Sequence, residues 1–282
     1  MSAAAPANPA TTLTVIEAGG RGPVVPWTAL RRHGELLAFL AWRDIRVRYR
    51  QTVLGVSWAL VEPLAGAALY TLLFHHLAGI SAGAVPYALS CFAAVLIWTF
   101  FGRSLRAVMV SLVANSGLIT KAYFPRLILP LAALGASTID LLCVLPSYGL
   151  LAGYYGVWPG WPVLTLPLWA ILAALAALGI GLTLASLNVR FRDVSAASTF
   201  LVQAWMLATP VVYPLSLIPP AWRSWYALNP MVAVVEGTRW ALLPNYTLDP
   251  LLLLPGLAVT LICLVVGLTV FSRTEHRFAD VI

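Results

Sequence analysis

Few residues in this chain have the types and spacing for chemistry, and most chemistries are excluded by them. His75 and His76 are adjacent, so one helix face cannot aim both imidazoles at a single metal as an i, i+4 pair would. Ser57 in "GVSW" and Ser116 in "NSG" lack the Gly-x-Ser-Gly flanks of an intramembrane nucleophile. Cys91, Cys143 and Cys263 each sit inside an apolar run, with no metal or redox spacing, and read as small buried hydrophobes. No GxxxxGK[ST] loop is present to cradle a nucleotide phosphate, and no HExxH. Asn245-Tyr246-Thr247 fits a glycosylation acceptor by chance.

What remains is charge placed where charge is expensive. Glu62 stands beside Pro63 in one apolar run and Asp140 lies midway along another, where it reads as an interhelix hydrogen-bonding group. Glu236 and Arg239 are three apart on a short helical stretch, so they can pair with each other or serve a gate or substrate contact. A further basic stretch, "NSGLITKAYFPRLILP" (Asn115–Pro130), interrupts two long apolar runs with Lys121, Arg126, a glycine and two prolines.

These residues must be positioned by a very apolar scaffold. Of 282 residues 61% are hydrophobic and 10% charged, with a mean hydropathy of +0.88. Soluble domains are nearer a quarter charged, so the composition points to an all-α polytopic membrane protein. Six runs can span: Val53–Phe74, Tyr87–Phe101 (continuing toward Arg106), Leu127–Leu151, Val163–Leu187, Ala196–Leu217 and Leu251–Phe271. A seventh, Met231–Leu243, is too short and reads as re-entrant. The expected organisation is a disordered tail over 1–26, an interfacial amphipathic helix over 27–52, a six-helix domain over 53–273 and a short tail over 274–282.

The basic residues orient the bundle. Fifteen of the 17 lysines and arginines fall before the first span, in the second and fourth connections, or after the last span; only Arg223 and Arg239 fall on the other side. Both termini are therefore expected in the cytoplasm, and the net charge of +7 is a topology signal and not a nucleic-acid footprint. On a helical wheel of "LRRHGELLAFLAWRDIRVRYR", Arg32, Glu35, Arg43, Arg46 and Arg50 share an arc of about 80°. Leu37, Ala38, Ala41, Trp42, Ile45 and Tyr49 gather opposite, while Phe39 and Arg48 break the pattern. Such a helix is expected to lie in the interface with its apolar face in lipid.

Four stretches together carry a family resemblance: "RDIRVRYRQTVLGVSWALVEPL" (Arg43–Leu64), "NSGLITKAYFPRLILPLAAL" (Asn115–Leu134), "LNVRFRDV" (Leu187–Val194) and "ATPVVYPLSLIPPAWRSWYALNPMVAVVEGTRWALL" (Ala208–Leu243). In this order, over about residues 30 to 275, the chain resembles the permease subunit of type-2 ABC exporters, in the branch that exports O-antigen, teichoic-acid and capsule polysaccharides. The resemblance implies a homodimer with six spans per protomer, bound to two copies of a separate ATPase that holds the ATP and Mg, in a bacterial inner membrane. Its cargo would be a lipid-linked polysaccharide, and this chain would carry no cofactor.

It further implies that Asn115, Leu118, Lys121, Ala122, Tyr123, Phe124, Pro125 and Arg126 form the coupling element that docks on the ATPase. Independently, a short basic helix with an aromatic pair can bury anchors and set register, and Pro125 ends such a helix at or before Phe124. Arg43, Arg46, Arg48, Tyr49 and Arg50 belong to the interfacial helix. Tyr213, Pro214, Trp222, Trp225, Tyr226, Asn229, Pro230, Glu236 and Arg239 resemble an external re-entrant gate, whose indoles serve either as belt anchors or as sugar-stacking faces. Rival readings are a small-molecule, drug or lipid exporter of the same architecture, a membrane-embedded enzyme of glycan assembly, and an ion-coupled transporter.

Overall fold

The computed structural model describes residues 27–50, 57–81, 85–191, 193–275 and Phe278. The tail expected over 1–26, the start of the first span at 53–56, most of 274–282, and Arg21, Arg192 and Arg277 lie outside them. All described regular elements are helical. In chain order they begin with α1 (Trp27–Arg32), α2 (Gly34–Tyr49) and α3 (Ser57–Tyr70), which widens into a π-helical continuation (Thr71–Leu77). Then follow α4 (Tyr87–Ala114), the single turn α5 (Ser116–Ile119) and α6 (Ile128–Tyr155). A 3-10 turn (Trp161–Thr165) leads into α7 (Leu166–Asn188), followed by α8 (Asp193–Leu207), α9 (Pro220–Ala227), α10 (Pro230–Leu242) and α11 (Pro250–Thr274).

Among the described residues, four helices are long and apolar enough to cross a membrane: Tyr87–Ala114, Ile128–Tyr155, Trp161–Asn188 and Leu253–Thr274. The chain is a multi-pass membrane protein. The second span is the axis of the bundle, with 83% of its most apolar window buried against 17% for the last. Expected to continue toward Arg106, it runs on to Ala114, with polar groups beyond Gly102 satisfied locally: Arg103 pairs with Glu62 of α3, and the buried Ser111 hydroxyl donates to the Val108 carbonyl at 2.7 Å.

The sequence places a fifth span over Ala196–Leu217, but the helix covers Asp193–Leu207 only. Its 15 residues reach about 22 Å, short of a hydrocarbon core of about 30 Å. The chain then breaks at Thr209-Pro210, where a proline cannot extend the hydrogen-bond ladder. The first expected span is helical over Ser57–Leu77, 14 residues of α-helix and 7 of π-helix.

Glycines set the closest helix crossings. A Cβ on Gly179 of α7 would meet the Leu264 backbone nitrogen of α11 at 2.5 Å, and one on Gly267 would strike the Gly179 carbonyl. Backbones in contact without side chains between them are the usual way membrane helices associate. Edge-to-face rings fasten α8 to α4: Trp205 stands 5.2 Å from Phe101 and 6.1 Å from Trp98.

α2 departs from expectation. Its apolar flank is not given to lipid: Leu40 is buried, and Leu36, Leu37 and Ala41 pack with it into a cluster that includes Ile128, Leu129 and Ala132 of α6. Ala41 lies 3.7 Å from where a Cβ on Gly135 would stand. Phe39, Trp42 and Val47 point outward, and Arg46 lies over the Trp42 ring at 5.6 Å. The apolar arc read from the wheel is thus divided, its inner part buried against α6 and Trp42 exposed.

Candidate functional site

The basic stretch is a loop held at both ends. At its head, Asn115 closes α4. Its Oδ1 accepts from Arg43 Nη2 at 2.7 Å, its Nδ2 donates to the Ser111 carbonyl at 2.8 Å, and its own carbonyl accepts from the Leu118 and Ile119 amides. Arg43 is itself steadied by Asp44, with Nε 3.0 Å and Nη2 2.7 Å from Oδ1. At the loop's foot, the Arg126 amide donates to Glu275 Oε1 at 3.1 Å and its guanidinium to the Glu275 carbonyl, at the C-terminal end of α11. The guanidinium thus ties the loop to the last turn of the final span by a charge-assisted bond.

Between these clamps the aromatic pair divides. Tyr123 is 81% exposed, beside exposed Lys121 and Ala122, whereas Phe124 is 7% exposed and sits in the cluster of Ile119, Leu127, Phe271 and Phe278. Phe278 meets Phe271 edge to face, with ring centroids 5.4 Å apart. Leu118 is half-buried on the same cluster, and Pro125 supplies the first carbonyl of the third span, accepting from Ile128 at 3.0 Å. The helix stops at Ile119, before the aromatic pair. The residue before a proline disfavours α geometry, and turning Phe124 inward opens the chain after Ala122. Of the two rings read from the sequence as anchors for a partner, Phe124 instead anchors the loop to its own bundle.

The charges at membrane depth are all placed in pairs. Arg48, which broke the amphipathic pattern of α2, reaches Asp140 of α6. Asp140 is therefore an interhelix group, as expected, but through an ion pair from a helix before the first span. Glu62 pairs with Arg103. Arg46 and Arg50 are exposed, and the Tyr49 side chain lies outside the described ones.

At the other end of the bundle, the segment from Thr209 to Asp249 folds back on itself. Glu236 and Arg239 of α10 pair at 2.9 Å, with Arg239 2% exposed. Arg239 also donates to the Val211 carbonyl at 2.8 Å and to the Tyr213 carbonyl at 3.5 Å. The second Glu236 oxygen accepts from the Tyr246 hydroxyl at 2.6 Å. Burial first, and then the Glu236 carboxylate, pushes the Tyr246 phenol above its ordinary range, so it stays a donor.

Asn229 caps α10 through Met231 at 3.0 Å, accepts from Trp205 Nε1 at 3.1 Å and donates to Thr209 Oγ1 at 2.9 Å, while Pro230 opens the helix. The Tyr213 hydroxyl donates to the Leu207 carbonyl at 3.0 Å and lies 3.5 Å from that of Tyr226. Trp222 and Trp225 are not drawn into this network; they stand outward on α9. Pro214 lines a cleft with Glu236, Tyr246 and Arg223. Tyr246, Thr209 and Trp205 carry no local sequence pattern, because their partners lie 10 to 24 positions away.

The chain matches the family model described as "ABC-2 type transporter" over residues 35–243. It is 27% identical over 254 residues to the "O-antigen export system permease protein RfbA" of Klebsiella pneumoniae, covering 88% of this chain and 95% of that one. A protein of the same description from Myxococcus xanthus is 29% identical over 253 residues, covering 89% and 96%. The "Polysialic acid transport protein KpsM" of Escherichia coli is 25% identical over 241 residues, covering 83% and 91%.

Proposed function

The chain belongs to the ABC-2 type transporter family, and from that premise we propose that it is the membrane subunit of an ATP-driven exporter of cell-surface polysaccharide. Relatives described as O-antigen export permeases and a polysialic acid transport protein, matched over most of their lengths, support the substrate class. With no phosphate-binding loop in the sequence, ATP and Mg belong to a separate ATPase. Two copies of this chain and two of the ATPase make up the machine. It lies in the bacterial inner membrane with both termini cytoplasmic, and the cargo is lipid-linked.

The observation that carries this reading is the loop Asn115–Arg126. It offers an exposed tyrosine flanked by a lysine while its two ends and Phe124 are tied to the bundle. Such a loop can seat Tyr123 in an ATPase groove and pass displacement on to α2 through Arg43, to α6 through Arg126 and to α11 through Glu275. The folded-back segment at the other end, external in this orientation, closes the path against leakage. Deleting the gene tests the reading: lipid-linked polymer should accumulate inside the cell, and the tagged chain should bring down an ATPase subunit. Normal surface polysaccharide in the deletion strain would rule the reading out.

A further inference from the structure

The two basic residues at the external end have different fates. Arg239 is consumed by Glu236 and by two backbone carbonyls. Arg223 of α9 is held only by Nε, which donates to the Ile218 carbonyl at 3.1 Å; its terminal nitrogens have no hydrogen-bond partner among the described residues. Its side chain lines a cleft of about 390 Å3 between α9, α10 and the turn at 245–249. That volume is in the range of small-ligand clefts, roughly 300 to 1,000 Å3.

The other polar groups lining this cleft decide what it fits. Asp249 caps α11 with one carboxylate oxygen, Oδ1 to the Leu251 amide at 3.0 Å, and its Oδ2 has no partner among the described residues. Asn245 adds an amide and Ser216 a hydroxyl. Tyr246 and Glu236 line the same wall, already bonded to one another. Arg223 and Asp249 face the cleft with opposite charge, and the carboxylate of Glu236 on its wall is neutralised by Arg239, which stands behind the lining. An anion would meet two carboxylates, a cation would meet the guanidinium, and an apolar ligand would strand the polar groups without partners. A neutral polyol suits all of them. Vicinal hydroxyls donate and accept at once, and planar guanidinium, carboxylate and amide groups can each grip two of them.

We propose that this cleft is a glycan subsite that takes one or two uncharged sugar residues of the polymer as it leaves the channel. The proposal rests on the polysaccharide reading above. Arg223 supplies donors, Asp249 supplies an acceptor, and the balanced field keeps retention weak enough for the chain to move on.

The test uses the intact permease–ATPase complex and living cells. Saturation-transfer NMR on the complex, with a panel of neutral methyl hexopyranosides, glucuronate and inorganic phosphate as probes, should show contact with at least one neutral glycoside. That contact should fall about three- to tenfold in Arg223→Ala and in Asp249→Ser, the loss expected for one or two hydrogen bonds. Asp249→Ser keeps the helix cap while withdrawing the second carboxylate oxygen, and complex yield reports on folding. In cells the same variants should lower export by a similar factor. Contact with glucuronate or phosphate alone, or with none of the probes, would overturn the subsite. So would wild-type export by both variants in a background where deletion abolishes surface polymer. If deletion leaves the polymer untouched, it is the polysaccharide reading that fails.

Discussion

Arg43 Nη2 lies 2.7 Å from Asn115 Oδ1, so a helix that precedes the first span holds the first residue of the basic loop from 72 positions away. The bond is charge-assisted and partly buried, the strong kind of neutral-to-ion contact. Arg43→Ala leaves Asn115 with one fewer partner, a loss of about 1.5–3 kcal/mol. Hydrogen exchange in the Ser116–Thr120 turn should quicken in that variant while α4 stays protected above it. Unchanged exchange would mean that the loop is held by other means.

Tyr123 and Phe124 should separate docking from folding. Phe124→Ala empties a buried site and should destabilise the chain by about 3–5 kcal/mol, lowering yield and melting temperature in detergent. Tyr123→Ala removes an exposed ring, so melting should barely move while ATPase co-purification falls at least about tenfold, the loss of one central anchor. A Tyr123→Ala chain that still recovers the ATPase in full would remove the docking role.

Gly179→Ala and Gly267→Ala each push a methyl group into the opposing backbone, where no side chain can swing away. Each should cost more than the 1–3 kcal/mol typical of overpacking, because α7 and α11 must move apart along their length. Gly34→Ala, where a Cβ meets nothing within 4 Å, is the control and should be neutral. Comparable yields for all three would refute the close crossing.

Glu236→Ala leaves Arg239 charged and buried with no carboxylate, a loss of about 3–5 kcal/mol. Replacing both, as Glu236→Leu with Arg239→Met, should be milder than the single change despite removing more polar groups. A melting series of wild type, single and double variants measures this. If the double variant is the worse, the pair contributes more through its bonds to Val211, Tyr213 and Tyr246 than it loses on desolvation.

The sequence revealed the class of scaffold because apolar runs and arginine counts are local quantities. It located α10 as too short to span, and Glu236 and Arg239 as neighbours on one face, for the same reason. It did not reveal the end of α8 at Leu207, since the residues from Ala208 to Leu217 remain apolar after the helix has broken. Nor did it divide Tyr123 from Phe124: two adjacent aromatics look alike until the cluster around Phe271 and Phe278 claims one of them. Arg48 looked like an error in a pattern and proved to be the partner of Asp140. A helical wheel describes one helix, and the fold decides which helices meet.

The loop from Asn115 to Arg126 is fastened at head and foot, and Phe124 ties its middle to the bundle. Its length is therefore a calibrated dimension, like the throw of a crank. An inserted residue would be absorbed as play between the two anchors, and a stroke received at Tyr123 would arrive at the spans diminished or late.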